Sequence, residues 1–130
     1  VAYPKKVLIA EDEEAIRSVM AEVLAEWGSV ILQTGDGIEA LSLAQAQKPD
    51  LILLDYGLPG MEGLQVAAKI RENVLLSNTA IIMVTAEPEP TPTPRNTLNK
   101  PYDGWIVKPF EIEAFCRRVL EVFRSKVTAR

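Results

Sequence analysis

Histidine is absent from this 130-residue chain, and Cys116 is its only cysteine. Without histidine no Ser-His-Asp or Cys-His nucleophile system can be assembled, and a lone cysteine allows neither an intrachain disulfide nor a His/Cys zinc site. The catalytic vocabulary that is left consists of carboxylate, lysine, hydroxyl and a hard metal ion. Also missing is an apolar run long enough to span a bilayer, so no membrane association is expected. Positive charge is not in excess: 14 Lys and Arg against 18 Asp and Glu leave a net charge of -4. That balance does not suit the neutralisation of nucleic-acid phosphates, and no direct nucleic-acid binding is expected. Residues 1–6 contain neither an initiator Met nor an apolar targeting core, so the expected location is cytoplasmic, and both a stand-alone domain and a piece of a longer regulator stay open.

What is present describes a globular protein of one ordinary domain, with 48% hydrophobic and 25% charged residues. Val7-Leu8-Ile9-Ala10 is a short apolar run of the kind found in strands buried on both faces. Over 13–27 the apolar positions Ile16, Val19, Met20, Val23, Leu24 and Trp27 recur at helical spacing, and Gly28 is a natural stop. Val30-Ile31-Leu32 predicts a second strand, 38–47 a second helix ending before Pro49, and Leu51-Ile52-Leu53-Leu54 a third strand. A helix over 62–74 with Val66, Ala67, Ile70 and Val74 on its inner face follows the turn Gly57-Leu58-Pro59-Gly60. Strands at 80–84 and 105–107 and a last helix over 111–126, with Ile112, Phe115, Cys116, Val119, Leu120 and Phe123 inward, complete the chain. Five apolar strands alternating with helical patterns predict βαβ units and a doubly wound, five-stranded parallel sheet, with no internal repeat and no second domain.

One stretch interrupts the alternation. Where a helix between the fourth and fifth strands belongs, the sequence reads Glu87-Pro88-Glu89-Pro90-Thr91-Pro92-Thr93-Pro94. Proline at every second position removes amide donors and clashes with the preceding turn, so that helix is expected to be shortened or replaced by a stiff, extended loop. At most a short turn fits over 95–100.

In open α/β sheets ligands bind at the carboxyl ends of the strands. The residues there are Glu11 and Asp12 after the first strand, Asp55 after the third, Thr85 after the fourth and Lys108 after the fifth. Each has an ordinary structural explanation, such as helix-dipole complement for Asp12 or a turn for Asp55. Gathered together they do not, because two like charges near contact repel by about 1 kcal/mol in water and about 4 at an effective dielectric of 20. A divalent cation and a lysine relieve that repulsion, and an all-oxygen site with few protein ligands suits Mg²⁺ or Mn²⁺. A carboxylate beside such an ion can serve as a phosphoryl acceptor and form an aspartyl phosphate.

Taken in order, Glu11-Asp12, Asp55 with Leu58-Pro59-Gly60, Thr85-Ala86 and Val107-Lys108-Pro109-Phe110 resemble the receiver domain of bacterial two-component response regulators, over about residues 6–124. The resemblance implies a flavodoxin-like (CheY-like) fold and a single receiver domain filling 1–130. It implies that Asp55 accepts a phosphoryl group from a phosphohistidine of a sensor histidine kinase or histidine phosphotransfer protein. Asp12 and Glu11 would bind Mg²⁺ together with Asp55, and Gly57 would offer its backbone carbonyl. Thr85 would hydrogen-bond the phosphoryl oxygen and Lys108 pair with it, with small Ala86 leaving room and a cis peptide joining Lys108 to Pro109. Thr85 and Trp105 would form the switch, although an indole there is equally explained as a partly buried aromatic at the sheet edge. The chain would be a signalling phosphoacceptor rather than an enzyme with turnover, and would report to a downstream output protein or domain. In the family the fourth helix, fifth strand and fifth helix usually form the face used for dimerisation or output. The proline tract therefore leaves a homodimer, a partner contact at 87–101 and a passive loop all open.

Other readings fare less well. A flavodoxin-like cofactor binder needs a phosphate-cradling loop after the first strand, where this chain has Glu11-Asp12-Glu13-Glu14. A phosphohydrolase of the haloacid dehalogenase type needs a second acid two residues after Asp55, where Gly57 stands. A phosphorylation-independent pseudo-receiver acting as an interaction module is the remaining alternative.

Overall fold

The computed structural model describes residues 2–91 and 100–129. Its strands are β1 (Lys6–Ala10), β2 (Val30–Thr34), β3 (Leu51–Leu54), β4 (Ala80–Thr85) and β5 (Gly104–Val107). The α-helices are α1 (Glu14–Ala25), α2 (Gly37–Gln47), α3 (Gly63–Glu72) and α4 (Ile112–Thr128), and a 3₁₀ turn covers Val74–Leu76. All strand pairs are parallel, in the order β2-β1-β3-β4-β5. The expected doubly wound sheet is therefore the one observed, and its order reverses between β1 and β3.

Strand alternation sorts the core into two layers. Val7, Ile9, Leu51, Leu53, Ile82, Val84 and Ile106 face α1 and α4, where they meet Met20, Leu24, Phe115, Val119 and Phe123. Leu8, Ala10, Ile52, Leu54, Ile81, Met83 and Trp105 face α2 and α3, against Ala40, Ala44, Val66, Ala67 and Ile70. Since β1, β3 and β4 are covered on both sides, their side chains read as unbroken apolar runs. Each fully buried Val, Leu or Ile contributes about 1.5–3 kcal/mol relative to exposure. The small Ala40 and Ala44 let α2 approach the sheet. Asp36 caps that helix, its carboxylate accepting from Glu39 N–H at 2.8 Å, and Lys48 ends it in the left-handed region at φ 48°.

Two expectations about helix faces need correction. Instead of running to Val74, α3 ends at Glu72, because the Asn73 side chain accepts from Leu75 N–H at 3.0 Å and starts a new 3₁₀ turn. That turn buries Leu76 and leaves Val74 81% and Leu75 71% exposed. Likewise Ile112 is exposed at the first turn of α4. The inward place is taken by Phe110, whose ring stacks on Phe115 at a centroid distance of 4.6 Å.

Among the described residues, 86–91 and 100–103 of the β4–β5 connection form no helix, as the prolines require. Pro92, Pro94 and the turn expected over 95–100 fall mostly on residues outside the described ones. The connection is tied down where it returns to the sheet. Arg71 of α3 donates to Pro101 O at 3.1 Å, to Thr79 O at 2.8 Å and to the Asp103 carboxylate at 2.6 Å. Asp103 also accepts from Ile81 N–H at 2.9 Å and from Lys126 of α4 at 3.1 Å. Tyr3 packs on Trp27 with centroids 5.5 Å apart and lies under the Arg124 guanidinium.

Arg71→Leu should leave the Pro101 and Thr79 carbonyls short of a donor and remove one of the two ion pairs of Asp103. The expected outcome is a loss of about 1–3 kcal/mol, read as a lower urea midpoint at unchanged slope.

Candidate functional site

The acidic residues stand one step beyond the apolar strands because the β-ladder continues through them. Glu11 N–H donates to Thr34 O and Asp55 N–H to Ala10 O, both at 3.0 Å, while Lys108 N–H donates to Thr85 O at 2.8 Å. Backbone pairing thus extends the sheet just far enough to fix where these side chains begin, next to the point where the strand order reverses.

Carboxylate oxygens of Glu11, Asp12 and Asp55 can lie within 4.8 Å of one another. Glu11 is fully buried and Asp55 is 8% exposed, whereas Asp12 opens to solvent. Lys108 reaches into this cluster, its Nζ donating to Glu11 Oε1 at 2.7 Å and to Asp55 Oδ2 at 3.2 Å. The second oxygens are also engaged: Glu11 Oε2 accepts from Glu13 N–H at 3.1 Å, and Asp55 Oδ1 from Gly57 N–H at 3.4 Å. The Lys108–Pro109 peptide is cis, as the resemblance implies.

Burial dominates the electrostatics of Glu11, raising its pKa to about 7 against the opposing pull of Lys108, with the Asp55 carboxylate adding to the rise. For Lys108, burial alone would favour the neutral amine. The hydrogen bond and charge of Glu11, followed by those of Asp55, override it and raise the lysine pKa. The site is thus a buried cationic amine shared between two acids, with a third acid at the solvent boundary.

Thr85 ends β4 at 2% exposure, and its hydroxyl oxygen accepts from Glu87 N–H at 3.3 Å. Its register partner is Val107, which sets Lys108 beside it. Ala86 is exposed next to it. Trp105 lies two residues up the edge strand and is 8% exposed, with its indole N–H donating to Glu87 O at 2.8 Å. Its ring contacts Tyr102 at 5.2 Å and Tyr56, the neighbour of Asp55, at 6.4 Å. The structure therefore brings together Glu11, Asp12, Asp55 and Lys108, sets Thr85 beside Lys108, and links Trp105 to both connections flanking them. Gly57 is in the exposed loop after Asp55, and its N–H contacts the site.

Sequence reasoning passed over two contributors. Arg17 donates from Nη1 to Glu11 O at 2.7 Å, and only its position one turn into the first helix hinted at that reach. The other is Tyr56, for which nothing local shows that its ring will meet Trp105 from another strand.

Because Glu11 deprotonates near pH 4.5 in the unfolded chain and near 7 in the fold, the unfolded state sheds its proton first as pH rises. Its contribution to stability is therefore largest below about pH 4.5, declines through that window, and is lost above about pH 7. In chelator, Glu11→Gln should melt higher than the natural chain at pH 8, by roughly 5 °C, and level with it at pH 4.5. Thermal melts across that range check this.

The family model of the response regulator receiver domain matches residues 7–120. The chain is 36% identical over 116 residues to the transcriptional regulatory protein PdtaR of Mycobacterium tuberculosis, covering 85% of this chain and 53% of that protein. It is 34% identical over 128 residues to the alkaline phosphatase synthesis transcriptional regulatory protein PhoP of Bacillus subtilis, covering 96% and 51%. The chain thus spans about half the length of these curated relatives. Among solved structures, the chemotaxis response regulator CheY4 of Vibrio cholerae superposes with a TM-score of 0.80 at 30% identity, covering 92% of this chain and 99% of that one. The receiver domain of sensor histidine kinase PA1611 from Pseudomonas aeruginosa, with a magnesium ion coordinated in its active site cleft, does so with a TM-score of 0.79 at 25% identity, covering 94% and 99%. By family match, relatives and fold alike, the chain belongs to the receiver domains of two-component response regulators, whose function is phosphorylation-dependent switching.

Proposed function

We propose that Asp55 is the phosphoacceptor and that the donor is a phosphohistidine on a sensor histidine kinase or phosphotransfer protein. The observation that carries this reading is the Lys108 ammonium held between Glu11 and Asp55 in the acidic cluster. An Asp55 carboxylate oxygen bonds to phosphorus as the phosphorus–nitrogen bond breaks, and the departing electron pair stays on the imidazole nitrogen. The product is an acyl phosphate on Asp55. No general base is needed, since a carboxylate oxygen attacks without a proton to remove.

Three oxygen-donor carboxylates and a strand-end loop carbonyl fit a hard divalent ion, so Asp12, Glu11, Asp55 and the Gly57 carbonyl would hold Mg²⁺, or Mn²⁺ in its place. Bound there, the ion supplies neutralisation of the phosphoryl oxygens. Lys108 pairs with those oxygens from the side of β5, and the Thr85 hydroxyl donates to them from β4. Phosphorylation would draw Thr85 toward the new group. Its bond from Glu87 N–H, and through Glu87 O the Trp105 indole, supports Thr85 and Trp105 as the switch.

An apolar groove of about 270 Å³ runs between Ala15, Ile16 and Val19 of α1 and Pro109 and Phe110, and the stem of Lys108 lines it too. Its continuity with the acceptor site supports docking of the donor protein there. In this reading residues 1–130 form one receiver domain with its core at about 6–124, located in the cytoplasm. It acts as a stoichiometric phosphoacceptor without multiple turnover and reports to an output protein or domain.

Intact mass after incubation with acetyl phosphate tests the reading. With Mg²⁺ the natural chain should gain one phosphoryl group that hydroxylamine removes, and chelator or Asp55→Asn should abolish the gain. Lys108→Met should slow labelling about 100-fold or more, the loss typical of a charge-stabilising group. Absence of labelling together with absence of Mg²⁺ binding would replace this reading with a phosphorylation-independent interaction module.

A further inference from the structure

The loop over 56–62, which follows Asp55, is pressed against α2 at a point where no side chain fits. A Cβ added to Gly37, the first residue of α2, would overlap the backbone carbonyl oxygen of Met61. Gly37 N–H donates to Pro59 O at 2.9 Å, so the helix end both touches the loop and holds it by the backbone. Beside this contact Gly60 adopts φ +82°, and a Cβ there would lie 2.5 Å from Asp36 Oδ1, the residue that caps α2. The far end of the loop is equally tight. Gly63 N–H donates to Tyr56 O at 2.9 Å, and a Cβ on Gly63 would overlap the carbonyl oxygen of Asp55 itself. Gly57, in contrast, has open space where a Cβ would be. The loop is therefore fixed by its neighbours on either side of the two residues that would face the metal.

We infer that Gly37 is a positioning residue for the Asp55 loop, with α2 acting as the seat that sets where Asp55 and the Gly57 carbonyl stand relative to Glu11 and Asp12. This rests on the proposed reading of those four residues as the metal site. The contact is backbone against backbone, so a methyl group at residue 37 cannot be relieved by rotating a side chain. It has to move the loop away from α2. Residues that orient metal ligands typically cost 10–100-fold in affinity when changed.

The experiment is calorimetric titration of Mg²⁺ into the natural chain, Gly37→Ala and Val119→Ala, with far-UV circular dichroism and melting temperature recorded for each. Val119 is buried against the opposite face of the sheet, so its truncation supplies lost stability without touching the loop. Gly37→Ala is expected to stay folded and to weaken Mg²⁺ binding about tenfold or more, while Val119→Ala keeps the natural affinity. Should Gly37→Ala not fold, Gly60→Ala, which strains the same loop at its left-handed φ of +82°, is expected to weaken Mg²⁺ binding likewise. Natural affinity in whichever of these two variants folds, or an equal loss in Val119→Ala, overturns the inference. If the natural chain binds Mg²⁺ but gains no phosphoryl group, the acceptor reading fails while the titration still decides the role of Gly37. If it binds no Mg²⁺, both fall.

Discussion

Everything in the site depends on one charge balance. Three carboxylates are gathered where the strand order reverses, two of them buried, and the Lys108 ammonium stands between those two. Burial makes the arrangement costly for negative charge, as the raised pKa of Glu11 shows. The lysine relieves part of that cost, and a group bringing further positive charge would relieve more. A site poised in this way favours the arrival of a cation and, through it, of an anionic phosphoryl group. The chemistry of a receiver domain is then a consequence of incomplete neutralisation, achieved by placing more acid than base at the end of an apolar sheet.

The rest of the molecule holds those few atoms in place. Glu11, Asp55 and Lys108 each continue the hydrogen-bond ladder by one residue, so their starting points are as firmly set as the strands themselves. The apolar layers on both faces of β1, β3 and β4 make those strands the least movable part of the structure. What can vary is the connections. One is braced by α2, and the other, between β4 and β5, is held by the Arg71–Asp103–Lys126 group and by the Trp105 indole. Firm strands and separately tethered connections are what a two-state reporter requires.

The strands and the strand-end chemistry were legible because they are local: an unbroken run such as Leu51-Ile52-Leu53-Leu54 states its own burial, and the acid after it states its own position. The fold class and the acidic residues that cluster at the strand ends followed from that rule. Helix ends were less legible. Val74 satisfies the helical period yet is exposed, because the Asn73 side chain competes for a backbone N–H that periodicity does not count. Least legible were contacts between distant segments. Tyr56 against Trp105, Arg17 on the Glu11 carbonyl and Gly37 against Met61 each join elements whose mutual approach is set by the packed sheet, not by neighbouring residues. Gly57 was singled out for its place after Asp55, whereas the glycines that space alone demands are Gly37 and Gly63.

The chain has two tryptophans, and they lie on opposite faces of the sheet. Trp27 rests on Tyr3 and the α1–α4 layer, while Trp105 touches the neighbour of Asp55 and is hydrogen-bonded to the segment that follows Thr85. Light emission from the second indole is sensitive to the very contacts that the switch would rearrange, and emission from the first is insulated from them by the thickness of the sheet. With Thr85 and Trp105 as the proposed switch, the molecule would carry both a built-in optical probe of its signalling state and an internal reference for it.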